Sequence, residues 1–196
     1  MTKLILIGPQ LNSKQTYDFE EKVIFVDGGM DFKNNISHQG FDSIGDQDST
    51  HCSLNNVLDK NKDRSDLYHA FELANEHKNL KELDLYGFMG GRLDHQLFNI
   101  GEGYRFIERS TTLESIHFYN KKIKEISIFK SGHHLFNFEG QFSISTLKNC
   151  SINLSGKVEY SGSIDLIPMS SQGLSNIAHG EFEIKSDQPI IFFYTT

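Results

Sequence analysis

Gly45-Asp46-Gln47-Asp48-Ser49 sets two carboxylates one residue apart, opened by a glycine and closed by a serine. A buried carboxylate needs a partner to offset its desolvation, and two side by side also repel. A divalent cation meets both demands. All-oxygen ligation suits magnesium, which takes one or two protein carboxylates and completes its shell with water and substrate phosphates. The chemistry indicated is phosphoryl transfer, although the same five residues read alone also suit an exposed turn.

Two further groups could serve that chemistry. In Lys62-Asp63-Arg64-Ser65-Asp66, Ser65 or Asp66 can cap a helix whose N-terminus attracts anions. Lys62 and Arg64 could neutralise phosphate oxygens there, and Asp66 could offer the metal another carboxylate. In Gly87-Phe88-Met89-Gly90-Gly91-Arg92-Leu93-Asp94-His95, the glycines let the backbone approach a ligand and Arg92 offers planar, multidentate donors. This is neither a Walker A loop nor GxGxxG. On a purely structural reading, Gly90-Gly91 is a turn and Asp94 a cap. His95 has no His or Cys partner at ligand spacing and reads as a hydrogen-bonded structural histidine, with His133-His134 at the surface.

The elements that must hold these groups follow from periodicity. Leu4–Ile7, Val23–Val26, Phe41–Ile44 and Leu83–Tyr86 are strand-like runs. Leu67, Ala70, Phe71 and Ala74 mark one amphipathic helix, and Leu93, Leu97, Ile100, Tyr104 and Ile107 a second, weakened by Gly101 and Gly103. Strands alternating with helices predict an α/β domain over 1–120 with a largely parallel sheet. Each strand runs into a special segment: Gly8-Pro9, Asp27-Gly28-Gly29, the Asp46/Asp48 loop and the Gly90-Gly91 loop. In open α/β sheets such segments converge beyond the carboxyl ends of the strands, where ligands bind.

From about Lys121 the period becomes two, in Ile126/Ile128, Phe142/Ile144, Ile152/Leu154, Val158/Tyr160, Ile164/Leu166 and Phe182/Ile184. Ser131-Gly132, Glu139-Gly140, Ser155-Gly156 and Ser161-Gly162 read as the turns between them. This predicts an all-β sandwich over 121–196, ending in a strand, Ile190–Tyr194, that is apolar on both faces.

The totals are those of a globular protein: 196 residues, 37% hydrophobic and 23% charged. The net charge of −7 argues against nucleic-acid binding, and all of the excess lies in residues 1–120, with 19 acidic and 12 basic side chains. An acidic region that accepts a polyphosphate needs a cation between the two. No apolar run is long enough to span a membrane, and the start reads as a strand rather than a signal peptide. Cys52 and Cys150 stand far apart without CxxC spacing and read as reduced thiols. The expected location is the cytoplasm.

Taken in order, Asp27-Gly28-Gly29, Gly45-Asp46-Gln47-Asp48-Ser49, Lys62-Asp63-Arg64-Ser65-Asp66-Leu67 and Gly90-Gly91-Arg92-Leu93-Asp94-His95, followed by Asn99-Ile100, resemble the thiamine pyrophosphokinase family over nearly the whole chain. The β-rich tail with Ser175-Asn176 also resembles that family's second domain. The resemblance implies transfer of pyrophosphate from ATP to thiamine, giving thiamine diphosphate and AMP, by a magnesium-dependent homodimer with the vitamin near the subunit interface. It implies magnesium at Asp46, Asp48 and Asp66, support from Asp94, and Lys62 and Arg92 facing phosphates. Asp27, Gly28, Gly29, Ser49, Ser65, Gly90 and Gly91 would border the nucleotide, and Ser175 and Asn176 would approach thiamine. The chain departs from the family pattern at Gly8-Pro9-Gln10, where a glycine-rich turn is usual, and at Ser65, where threonine is. Asp66 and Asp94 both stand as candidate bases. Two other readings are a pyrophosphokinase for another heteroaromatic alcohol, such as a pterin, and a non-catalytic nucleotide- or metal-binding module.

Overall fold

The computed structural model describes residues 2–12 and 14–195; Met1, Ser13 and Thr196 lie outside the described residues. In chain order the strands are β1 (Thr2–Ile7), β2 (Tyr17–Asp18), β3 (Val23–Val26), β4 (Ile36–Ser37), β5 (Phe41–Gly45), β6 (Asn56–Val57), β7 (Leu80–Tyr86), β8 (Ser115–Asn120), β9 (Ile123–Phe129), β10 (Gly132–Ser145), β11 (Cys150–Val158), β12 (Gly162–Leu166), β13 (Asn176–Ser186) and β14 (Ile190–Thr195). A 3-10 helix spans Asp27–Asn35, and the α-helices are α1 (Asp66–Asn75) and α2 (Leu93–Arg109).

Twelve of these strands form one sheet, in the order β12-β11-β13-β10-β14-β9-β8-β7-β1-β3-β5-β6, while β2 and β4 pair separately. From β6 to β8 every pairing is parallel, and from β8 to β12 every pairing is antiparallel. The sheet is therefore mixed. This corrects the expectation of a largely parallel sheet, since the antiparallel strands of 121–196 continue the ladder begun by the parallel ones. The cause is the tight β8–β9 hairpin, turned at Lys121 with φ of 56°, which lays β9 against the last parallel strand and lets β14 and β10 extend the same ladder.

The helical side of the parallel half is the main core. Leu67, Ala70, Phe71 and Ala74 of α1 are all buried, and Phe71 stacks on Phe106 of α2 at 4.7 Å. Gly103 is not merely a weak point: a Cβ there would stand 3.0 Å from Ile128 Cδ1, so its absence lets α2 lie close on β9. The first turns of α2 diverge from the predicted apolar stripe, for Leu93, Leu97 and Phe98 are 69%, 50% and 73% exposed. The antiparallel half buries its own cluster of Phe142, Ile152, Leu154, Phe182 and Phe192. Strand β14 is buried on both faces as expected, Ile191 and Phe193 packing with the helical core and Ile190 and Phe192 with the second cluster. Gly140 and Gly156 sit inside β10 and β11 rather than in turns, and Tyr160 lies past the end of β11. At Gly156, φ is 107° and a Cβ would stand 2.6 Å from Phe182 Cα, so the residue permits a bulge and close strand approach.

Candidate active site

The loops after β1, β3, β5 and β7 and the N-terminal ends of both helices surround one cleft of about 440 Å³. Asp27, Asp46, Asp48, Ser49, Lys62, Ser65, Asp66, Gly90 and Arg92 all line it, together with Lys60, Arg64, Gln10, His95 and Asn99. Parallel pairing of β1, β3, β5 and β7 brings these distant segments to one sheet edge.

Asp27 organises the floor. It follows β3 with φ of 44°, a conformation that a non-glycine residue keeps only when its surroundings hold it. Its carboxylate accepts the Gln47 N–H at 3.1 Å and the Ser49 N–H at 3.2 Å, which pins the acidic loop across the end of β5. Gly45 is required for this approach, since a Cβ would fall 2.7 Å from Asp27 Cβ. Asp46, Asp48 and Asp27 then present carboxylate oxygens within 4.8 Å of one another. Burial, together with the nearby Asp48 and Asp46 charges, pushes the Asp27 carboxyl above its ordinary range.

Lys62 reaches into this floor from the loop before α1. Its ammonium donates to Asp46 and lies 3.2 Å from Asp66 Oδ1. The second contact is an ion pair without hydrogen-bond alignment, since that oxygen has no hydrogen-bond partner. The hydrogen bond from Lys62 holds the Asp46 carboxyl low. Burial pushes Asp66 up against the opposing pull of Lys62. For Lys62 itself burial disfavours the charge, and the two carboxylates outweigh it and raise its value. Ser65 is the N-cap of α1, accepting the Tyr68 N–H at 3.2 Å.

Arg92 lines the outer rim, and Asp94, which pairs with it, stands just outside the lining residues. The guanidinium donates to both Asp94 oxygens, at 3.1 and 2.5 Å, and holds that carboxyl low. Asn99 Nδ2 donates to the Phe88 carbonyl at 2.8 Å and fastens the glycine loop to α2. Gly90 and Gly91 take φ of 91° and 72°, where a side chain would be strained.

Several expectations change here. His95 is exposed and lines the cleft instead of serving as a structural residue, because the first turn of α2 around it is exposed. Gly28 and Gly29 do not line the cleft; a Cβ on Gly29 would fall 2.0 Å from the Ile7 carbonyl oxygen, so this pair seats the 3-10 helix against β1. Ser175 and Asn176 lie outside the cleft. The Asn176 side chain is buried, accepting from Tyr160 N–H at 3.1 Å and donating to the Tyr160 carbonyl at 2.7 Å, whereas Ser175 is exposed. Sequence reasoning missed Lys60 and undervalued Asp27 as the third carboxylate. Lys60, Lys62 and Arg64 come from a loop that turns at Lys60-Asn61 and bends at Asp63-Arg64, and their clustering in sequence just before α1 is the signal that could have found Lys60.

The thiamin pyrophosphokinase catalytic-domain family matches residues 13–115. No curated protein matches in sequence. Among solved structures, the thiamine pyrophosphokinase of Bacillus subtilis is similar over 100% of both chains, with a TM-score of 0.75 at 19% identity. That of Geobacillus thermodenitrificans is similar over 100% of this chain and 98% of its own, at 0.72 and 16%. The Candida albicans enzyme is similar over 97% and 88%, at 0.69 and 14%. At such identities the structures speak for the fold, while the domain match, spanning more than half of the chain, speaks for ancestry. The chain belongs to the thiamin pyrophosphokinase family of transferases, whose substrates are ATP and thiamine.

Proposed function

We propose that the cleft binds ATP with magnesium and presents the β-phosphorus to the hydroxyl of thiamine, so that thiamine diphosphate and AMP leave in equal amounts. The observation that carries this reading is the meeting of Asp27, Asp46 and Asp48 with Lys60, Lys62, Arg64 and Arg92 around one cleft. The donor set fits magnesium. It offers hard oxygens alone, two of the three carboxylates are buried, and burial with the Asp48 and Asp46 charges beside it disfavours a bare Asp27 carboxylate, which a cation would relieve. Asp46 and Asp48 would hold the ion with Asp27 beside them. When bound, magnesium neutralises phosphate oxygens and orients the transferring group.

The chain's own groups supply the rest. Lys60, Lys62, Arg64 and Arg92 face the polyphosphate, and the N-terminus of α1 points partial positive charge at it. Catalysis of this type is mainly positioning and charge stabilisation. Asp66 is the better base of the two candidates, because burial raises its proton affinity while Arg92 lowers that of Asp94. The Lys62 ammonium separates Asp66 from Asp46, which favours a proton-accepting role over metal ligation for Asp66.

We further infer a homodimer in which residues 1–120 of one copy bind ATP and residues 121–196 of the other complete the thiamine pocket. Among the described residues, those lining the cleft come only from the first of these regions. Exposed Leu93, Leu97 and Phe98 flank the cleft, and exposed Ile167, Met169 and Leu174 flank Ser175, so each region carries apolar surface for the other to cover. Asn176 then holds the loop from which Ser175 reaches thiamine. No helix among the described residues is long and apolar enough to cross a membrane, and the free thiols of Cys52 and Cys150 fit a reducing cytoplasm. The test is incubation with ATP, magnesium and a panel of thiamine and pterin-type alcohols, followed by mass analysis. Thiamine diphosphate with AMP is expected; a diphosphorylated pterin would redirect the substrate assignment, and no turnover would leave a binding module.

A further inference from the structure

The sheet face opposite the helices carries a second cluster of metal-ligating side chains, none of which lines the cleft. Parallel pairing of β1, β7 and β8 sets Lys3 beside Glu82 and Asp84 beside His117. One oxygen each from Glu82 and Asp84 and one ring nitrogen of His117 lie within 4.8 Å of one another. Lys3 Nζ reaches Glu82 Oε1 at 3.0 Å and Asp84 Oδ2 at 2.6 Å.

Lys3 and Lys124 balance the two carboxylates in charge, yet neither reaches every ligand atom. Asp84 is 2% exposed, and its Oδ1 has no hydrogen-bond partner; the Tyr119 hydroxyl approaches this carboxylate without bonding that oxygen. His117 is buried too. Its Nδ1 meets Ser127 Oγ at 2.7 Å, and Ser127 donates its one proton to the Tyr194 hydroxyl at 3.2 Å. Ser127 must therefore accept from Nδ1–H, and the lone pair falls on Nε2, which faces Glu82 Oε1 at 3.9 Å. An imidazole lone pair thus points at a carboxylate, with a second, unpartnered carboxylate oxygen beside them. Such an arrangement asks for a cation, and the Ser127–Tyr194 bond is the kind of outer-shell contact that orients a histidine ligand. Lys3 and Glu82 keep 28% and 19% of their side chains exposed, which gives an ion a way in and Lys3 a way out.

We propose that Glu82, Asp84 and His117 form a second cation site that takes a first-row divalent metal of mixed nitrogen and oxygen ligation, best matched by zinc, with Lys3 swinging to solvent as the ion enters. Lys124, which also faces the carboxylates, limits the affinity without blocking a ligand atom.

The test uses the full chain stripped with chelator and titrated with Zn2+ or Co2+ alone, read by calorimetry and by the visible absorption of cobalt. One ion per chain is expected outside the cleft, unchanged in Asp48→Asn and weakened about tenfold or more in His117→Gln. Lys3→Met, which removes the competing ammonium, should bind more tightly than wild type and gain more thermal stability from zinc. The proposal is overturned by no binding, by binding that His117→Gln leaves intact, or by a Lys3→Met protein that binds no more tightly. None of these results depends on the cleft's activity, so this site can fail while the assignment of the cleft stands.

Discussion

Lys62 and Arg92 each grip a carboxylate at the same cleft, but at opposite depths. The side chains of Lys62 and Asp46 are 12% and 7% exposed, whereas those of Arg92 and Asp94 are 74% and 48% exposed. In the floor, low dielectric strengthens each attraction and makes every unpaired charge costly. At the rim, water screens the pair, and both partners are free to re-form on a ligand. The floor is thus preorganised before substrate arrives, and the rim exchanges its internal pair for phosphate when it does. Substitutions of the ion-paired groups in the floor should strike turnover and stability, those of its unpaired carboxylates turnover alone, and those at the rim substrate affinity.

The largest effect is expected from Asp48→Asn. This exposed carboxylate belongs to the acidic floor but makes no ion pair with Lys62, so turnover should fall on the order of 10²–10³-fold while the melting temperature holds or rises. Near wild-type rates at limiting magnesium would remove it from the metal set. Lys62→Met should cost both properties, lowering kcat strongly and destabilising the fold by about 3 kcal/mol, because it leaves Asp46 and Asp66 without their cation. Urea unfolding would show it.

A pH profile sharpens the contrast. Asp66 is raised by burial, so the proton acceptor is lost as pH falls through that raised value, and kcat/KM should decline on the acid side above the ordinary aspartate range. Asp94, held low by Arg92, would place that limb lower. For stability the signs oppose: the depressed Asp46 contributes above the ordinary aspartate pKa of about 3.9 and is lost as pH falls through its folded value, whereas the raised Asp66 favours the fold at lower pH.

At the rim, Arg92→Lys should raise the KM for ATP about tenfold with kcat and melting temperature little changed, since a point charge replaces a planar fork. Steady-state kinetics would decide. The smallest effect belongs to Ser65→Ala, which removes the α1 cap and should cost about 1 kcal/mol of stability.

The same depth distinction explains what the sequence disclosed. Strand ends and their loops were legible, because Val23–Val26 is an apolar run and Leu83–Tyr86 is one apart from Asp84, and they stop at Asp27 and Gly87. The acidic loop was legible because paired carboxylates rarely lack a reason. Asp27 was harder, for its hold on the Gln47 and Ser49 amides arises only when β3 and β5 pair. His95 was misjudged because helical periodicity does not say which turn of the helix stays exposed. Nor does alternation show whether antiparallel strands stand apart or join an existing sheet, as β9 joins β8 here. His117 gave no local signal at all, since its partners Glu82 and Ser127 come from neighbouring strands.

The central claim, that this floor and rim direct attack at the β-phosphorus of ATP, is tested most directly by labelling the γ-phosphate and following it through the reaction with thiamine. The account expects the label as the terminal phosphate of thiamine diphosphate, with AMP formed in equal amount. Label in thiamine monophosphate, with ADP as the second product, would show γ-transfer and contradict it.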